Sequence, residues 1–166
     1  MGVIVEEYAE WNTPVVGAYL LWRFAQGYVS SGERHENPPL PLFCIVTVLL
    51  RGRAYSEAIE HVRSLHGYAA RLVKYSKADK LKGLHDRIIP MMPYTLQAID
   101  IAVSRRLLEW DVENAALAPK KIKEFKRGTK SLSKSVQKLG DKAEKLGNWM
   151  SGLTLSDIAL DLGVRF

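Results

Sequence analysis

The sequence predicts a mainly α-helical single domain: a compact multi-helix body with one short β-hairpin and a long basic helix toward the C-terminus. Three observations carry this. Apolar residues recur every three or four positions through most of the chain, one stretch alone alternates with period two, and lysines step by four beside an apolar heptad after Pro119. With 166 residues and 47% apolar content, the chain can fill one core and is too short to divide into two large domains. The expected organisation within residues 1–166 is a helical core over 12–107, a hairpin over about 108–118 and a basic amphipathic helical region over 119–166.

Asn12-Thr13-Pro14 pairs a capping residue with a proline suited to a first helical turn, and Val15, Ala18, Tyr19, Trp22 and Ala25 follow at helical spacing, so a helix is expected from Pro14 to Val29. Ser30 to Pro39 is rich in turn formers and reads as an exposed loop. Leu40 to Leu50 is apolar on every side, which suits a buried helix or strand, and helix is favoured. Ile59, Val62, Leu65, Leu72 and Val73 lie on helical faces, with a break expected at Gly67. Pro90 and Pro93 are expected to separate two further helices, Asp79–Met92 and Tyr94–Leu107, the second burying Leu96, Ile99 and Val103. Leu108 to Val112 alternates, and Glu113-Asn114 leads into Ala115–Ala118, which predicts the hairpin.

Beyond the hairpin, Leu132, Val136, Leu139, Ala143, Leu146 and Met150 are spaced by four, three, four, three and four residues, a heptad-like seam expected to dock within the subunit or onto a partner. Lys126, Lys130, Lys134, Lys138 and Lys142 each turn about 40° from the last around the same helix and form a winding basic row. Gly140 and Gly147 each cost such a helix about 1 kcal/mol against alanine, so its stability depends on packing. Formal charge is +6, but Pro119 to Lys145 holds ten basic and three acidic residues while the rest holds 14 basic and 15 acidic. An anionic partner, DNA or an acidic helix, should therefore meet that one segment.

Signatures of chemistry are absent: there is no phosphate loop, HExxH, CxxC pair or GxSxG elbow, so no catalytic centre, cofactor or metal is expected. The best enzyme-like feature is His85-Asp86 with His61 and His66 upstream, which a metal phosphohydrolase could use; a solvated face carrying Lys82, Asp86 and Arg87 is the competing reading. Cys44, the single cysteine, sits in an apolar run and reads as a buried small hydrophobe, which excludes a disulfide framework and fits a cytoplasmic protein. No stretch reaches the roughly 18 apolar residues of a membrane span, and no export signal is recognisable. At least three of Trp11, Trp22, Trp110 and Trp149 read as core or interface anchors. Leu153 to Val164 looks like the first helix and turn of a helix-turn-helix with no recognition helix after it, and is read as a terminal helix closing the fold.

Taken in order, Asn12-Thr13-Pro14 leading into GAYLLWRF, the block PLPLFCIVTVLLRGR, the PYTLQAI segment, the hairpin and the ending KLGNWMSGLTLSDIALDLGVRF resemble the middle component of three-component ABC ATPase systems. Asn-Thr-Pro stands where that family commonly has Asn-Pro, and Phe166 follows GVR where it has proline. The resemblance implies a Lamassu-like accessory subunit of a bacterial anti-phage defence complex, bridging an SMC-like ABC ATPase and an effector nuclease. The alternatives left by the residues themselves are a stand-alone, sequence-independent DNA-binding module and the phosphohydrolase.

Overall fold

Thr13 and Pro14 start the first helix as expected. In the computed structural model, which describes residues 13–74, 80–122 and 133–166, the Thr13 hydroxyl accepts from Val16 N–H at 3.4 Å and α1 runs Pro14–Ser31. It buries residues on every side, from Val16 through Phe24, Ala25 and Tyr28, because other elements pack all around it. α2 (Leu40–Arg51) is the apolar block, and its nine residues Leu42 to Leu50 are all buried; Thr47 disposes of its hydroxyl by donating to Phe43 O at 2.7 Å.

α3 (Arg53–Ile59) and α4 (Leu65–Lys74) are separated at residues 60–64, not at Gly67. Ser64 sets the boundary: its Oγ accepts from Gly67 N–H at 3.1 Å, capping a first turn that contains the glycine. Val73 is exposed, whereas Ile59, Leu65 and Leu72 are buried.

The two helices expected across Pro90 and Pro93 form one, α5 (Lys80–Ser104). Each proline removes one backbone donor, and the carbonyls left over belong to Asp86 and Ile89, residues on the exposed side where water can serve them. On the other side Leu84, Thr95, Ala98, Ile99 and Ala102 are buried, and the helix packs on α1 and α2, which holds it continuous. The expected stripe is corrected accordingly: Ile99 is buried, Val103 is half-buried and Leu96 is 47% exposed.

The hairpin forms from β1 (Leu108–Asp111) and β2 (Ala116–Pro119), antiparallel, pairing Leu108 with Pro119 and Trp110 with Leu117. Asp111 closes its turn by accepting from Asn114 N–H and Nδ2 and from Asn37 Nδ2. Trp22 Nε1 donates to Lys120 O at 3.0 Å and ties the end of β2 to α1. Helix does not follow Pro119 directly: residues 120–122 are irregular, and 123–132 lie outside the described residues.

The basic helix appears as α6 (Lys134–Met150), capped by Ser133, whose Oγ accepts from Val136 N–H. It is packed most extensively on α1. α7 (Leu155–Leu162) follows behind a capping box of Thr154 and Asp157 and ends at Gly163 with φ +67, a left-handed position suited to glycine. Ile158 and Leu162 are buried, and α7 packs on α4, in keeping with a helix that closes the fold.

The α1–α6 pair fixes how close the two backbones come. A Cβ on Gly147 would collide with Phe24 O and lie 2.6 Å from Tyr28 N, and one on Gly27 would collide with Glu144 O. Local propensity alone would make Gly147→Ala stabilising by about 1 kcal/mol. We expect the opposite sign in urea denaturation, a loss above about 2 kcal/mol, because backbone must move to admit the methyl group. Gly152→Ala, where no atom lies within 4 Å of the added carbon, should change stability by less than about 0.5 kcal/mol.

Candidate functional site

The predicted docking seam is occupied by the chain itself. Val136, Ala143, Leu146 and Met150 are fully buried and Leu139 nearly so, all in the core shared with α1; Leu132 lies outside the described residues. Arg23 of α1 reinforces the contact, donating to Asp141 at 3.0 Å and to Glu144 at 2.5 Å, with its other nitrogen on the Tyr19 hydroxyl. Asp141 and Glu144, two of the three acidic residues that interrupt the basic segment, thus tie α6 to α1, while Glu124 lies outside the described residues.

The lysine row divides in the same way. Lys126 and Lys130 lie outside the described residues, and Lys134 and Lys138 are exposed. One turn further along the helix Lys142 reaches other parts of the chain: its ammonium meets Glu60 at 3.2 Å and the Ser56 hydroxyl at 3.3 Å and keeps only 14% exposure. Hydrogen bonding to Lys142, and then its charge, hold the Glu60 carboxyl below its ordinary range. A carboxylate stabilised in the folded state adds stability above its unfolded pKa and loses it as pH falls through the folded one. Lys145 is likewise internal, donating to Ile59 O at 3.0 Å and lying over the Trp149 ring. Among the described members of the row, Lys134 and Lys138 are therefore the two available to an anion.

An apolar surface that the seam argument missed lies on α5. Ile89 is 73% exposed, Leu96 47% and Met92 37%, at positions i, i+3 and i+7 of one helix. Reading Pro90 and Pro93 as breaks cut this stripe in half; reading the helix through them would have revealed it. On the hairpin, Trp110 is 45% exposed and Val112 83%. Trp22 is buried and Trp149 half-buried against Tyr68 at 5.8 Å, so these two are anchors and Trp110 faces outward; Trp11 is outside the described residues.

His85 and His66 both serve the C-terminal segment. His85 Nδ1 accepts from Arg165 N–H at 3.3 Å, and His66 Nδ1 lies 3.3 Å from Asp161 Oδ1. Asp86 is exposed, and among the described residues no three His, Cys, Asp or Glu side chains are grouped to hold a metal ion. Burial pushes the Cys44 thiol up, away from the reactive thiolate. Among the described residues no helix is long and apolar enough to cross a membrane.

The division of the lysine row is measurable. Lys142→Glu should lower stability by more than about 1 kcal/mol, since it sets a carboxylate against Glu60 and strips the Ser56 hydroxyl of its partner, whereas Lys138→Glu should stay within about 0.5 kcal/mol in the same denaturation experiment.

The family model for the ABC-three component (ABC-3C) system Middle Component 3 matches residues 1–166. No curated protein and no solved structure matches the chain.

Proposed function

The chain belongs to the Middle Component 3 family of ABC-three component systems, and from that membership we propose that it is a non-catalytic adaptor bridging an SMC-like ABC ATPase and an effector nuclease. On this reading the complex is a cytoplasmic, Lamassu-like anti-phage defence assembly. The family match along all 166 residues carries the proposal. The surface supports it: once the seam is satisfied internally, the stripe Ile89, Met92 and Leu96 remains as an apolar helix face in water. Such a face suits a groove or an amphipathic helix on another subunit. Lys134 and Lys138 supply a separate positive surface.

Co-expression with the two other components tests the bridge. ATPase and effector should co-purify when this chain is present and separate when it is deleted, and Ile89→Glu with Leu96→Glu should release one of them while the chain stays folded. An ATPase–effector complex that forms equally well without the chain, with defence intact, would contradict the adaptor.

A second reading, sequence-independent DNA binding by the isolated chain, is favoured by the exposure of Lys134 and Lys138. Each phosphate contacted should contribute about −0.9 to the slope of log affinity against log salt. Affinity for a duplex should therefore fall as salt rises and fall further with Lys134→Ala and Lys138→Ala; a flat salt dependence removes this reading.

A further inference from the structure

Among the described residues one strand edge of the hairpin is left open while the other is closed. Lys120 N–H donates to Leu107 O at 2.9 Å, and since hydrogen-bonded pairs alternate along an antiparallel ladder, Glu109 and Asp111 turn their backbone groups toward β2. Leu108 and Trp110 turn theirs away. The same alternation places Pro119, which has no N–H to give, at a position where none is needed. Beyond β2, residues 38–40 act as a third strip: Leu117 N–H donates to Pro38 O at 3.2 Å, Leu40 N–H to Ala115 O at 3.0 Å, and Pro39 bridges Ala116. Among the described residues no backbone hydrogen bond serves the outward N–H and C=O of Trp110.

The side chains at that edge differ by face. Within β1 Leu108 and Trp110 share one face, Leu108 buried and Trp110 45% exposed, while Glu109 and Asp111 alternate to the other; exposed Val112 and Glu113 follow in the turn. Asp111 is engaged by Asn37 and Asn114, and among the described residues Glu109 has only a distant cation, Lys120 at 3.9 Å. A strand laid beside β1 would meet an apolar position next to Trp110 and carboxylates next to the flanking ones.

We propose that the outer edge of β1 receives an extended segment of a partner subunit, one in which apolar side chains alternate with lysine or arginine, adding a strand to the hairpin. Backbone hydrogen bonds to Trp110 set the register, the indole and Val112 pack its apolar residues, and Glu109 and Glu113 select its basic ones. The edge is four residues long, which suits one specific short insertion and resists open-ended pairing between copies. This contact rests on the adaptor reading and is separate from the α5 stripe.

Backbone amide exchange on the wild-type chain, alone and co-purified with the two other components of its system, tests the proposal. In the isolated chain Glu109 and Asp111 amides should be protected and the Trp110 amide should exchange fast; in the complex Trp110 should slow by about 100-fold or more. Glu109→Lys with Glu113→Lys, which leave the ladder intact, should weaken assembly by about tenfold at low salt. An unchanged Trp110 amide in a complex that does form overturns this contact and leaves the adaptor standing, while failure to form any complex overturns both. Protection of Trp110 in the isolated chain, rising with concentration, would make the occupant a second copy and overturn the proposal. Protection unaffected by the charge reversal would overturn the basic character assigned to the segment.

Discussion

The close approach of α1 and α6 is the constraint on which the rest of this structure depends. Gly27 and Gly147 bring the two backbones together at a distance no side chain would permit, and Gly140 seats the Tyr19 ring in the same way. Glycine weakens a helix locally, so three at one helix pair make sense only if packing returns more than propensity loses. The return is the fully buried run Val136, Ala143, Leu146 and Met150, packed against a helix that itself buries residues on every side. The other elements are arranged around that pair: α5 covers α1 from another direction, the hairpin is tied to it through Trp22, and α7 follows directly on α6.

Consuming the seam internally changes what the protein can offer a partner. A helix whose heptad left docking within the chain or onto another subunit open is a core element, and its charged residues divide along its length into those that clamp the fold in its second half, namely Asp141, Lys142, Glu144 and Lys145, and those that face water nearer its start, Lys134 and Lys138. The apolar surface available for assembly moves to α5 and to the hairpin, two sites on different elements. Separate surfaces are what the proposed adaptor between two other subunits would require.

Much of this was legible in the sequence, and the failures share a cause. Capping residues, a continuous apolar block and a heptad are local signals, so α1, α2 and α6 could be placed from Thr13-Pro14, Leu40–Leu50 and Val136–Met150. The hairpin was legible from its alternation and its Glu113-Asn114 turn. What α6 docks against was not, because α1 buries residues on every side and so names no particular partner. Pro90 and Pro93 carry a local penalty whose relief, burial of Ala98, Ile99 and Ala102 on one side and water on the other, is tertiary. The break misplaced at Gly67 came from weighing glycine above Ser64, whose hydroxyl decides the boundary. The open edge of β1 was invisible for a different reason: which edge is closed depends on residues 38–40, distant in sequence, where an exposed loop was expected to give way to the apolar block.

With its seam buried against α1, α6 should be paired with α1 already in the isolated chain. Nuclear Overhauser contacts between the Gly147 and Gly27 α-protons, measured on the chain alone, report that pairing directly. They should be strong in the absence of any other component and unchanged when the others are added. Their absence from the free chain, with contacts appearing only on assembly, would mean that the seam is a partner-docking surface after all and would contradict the account.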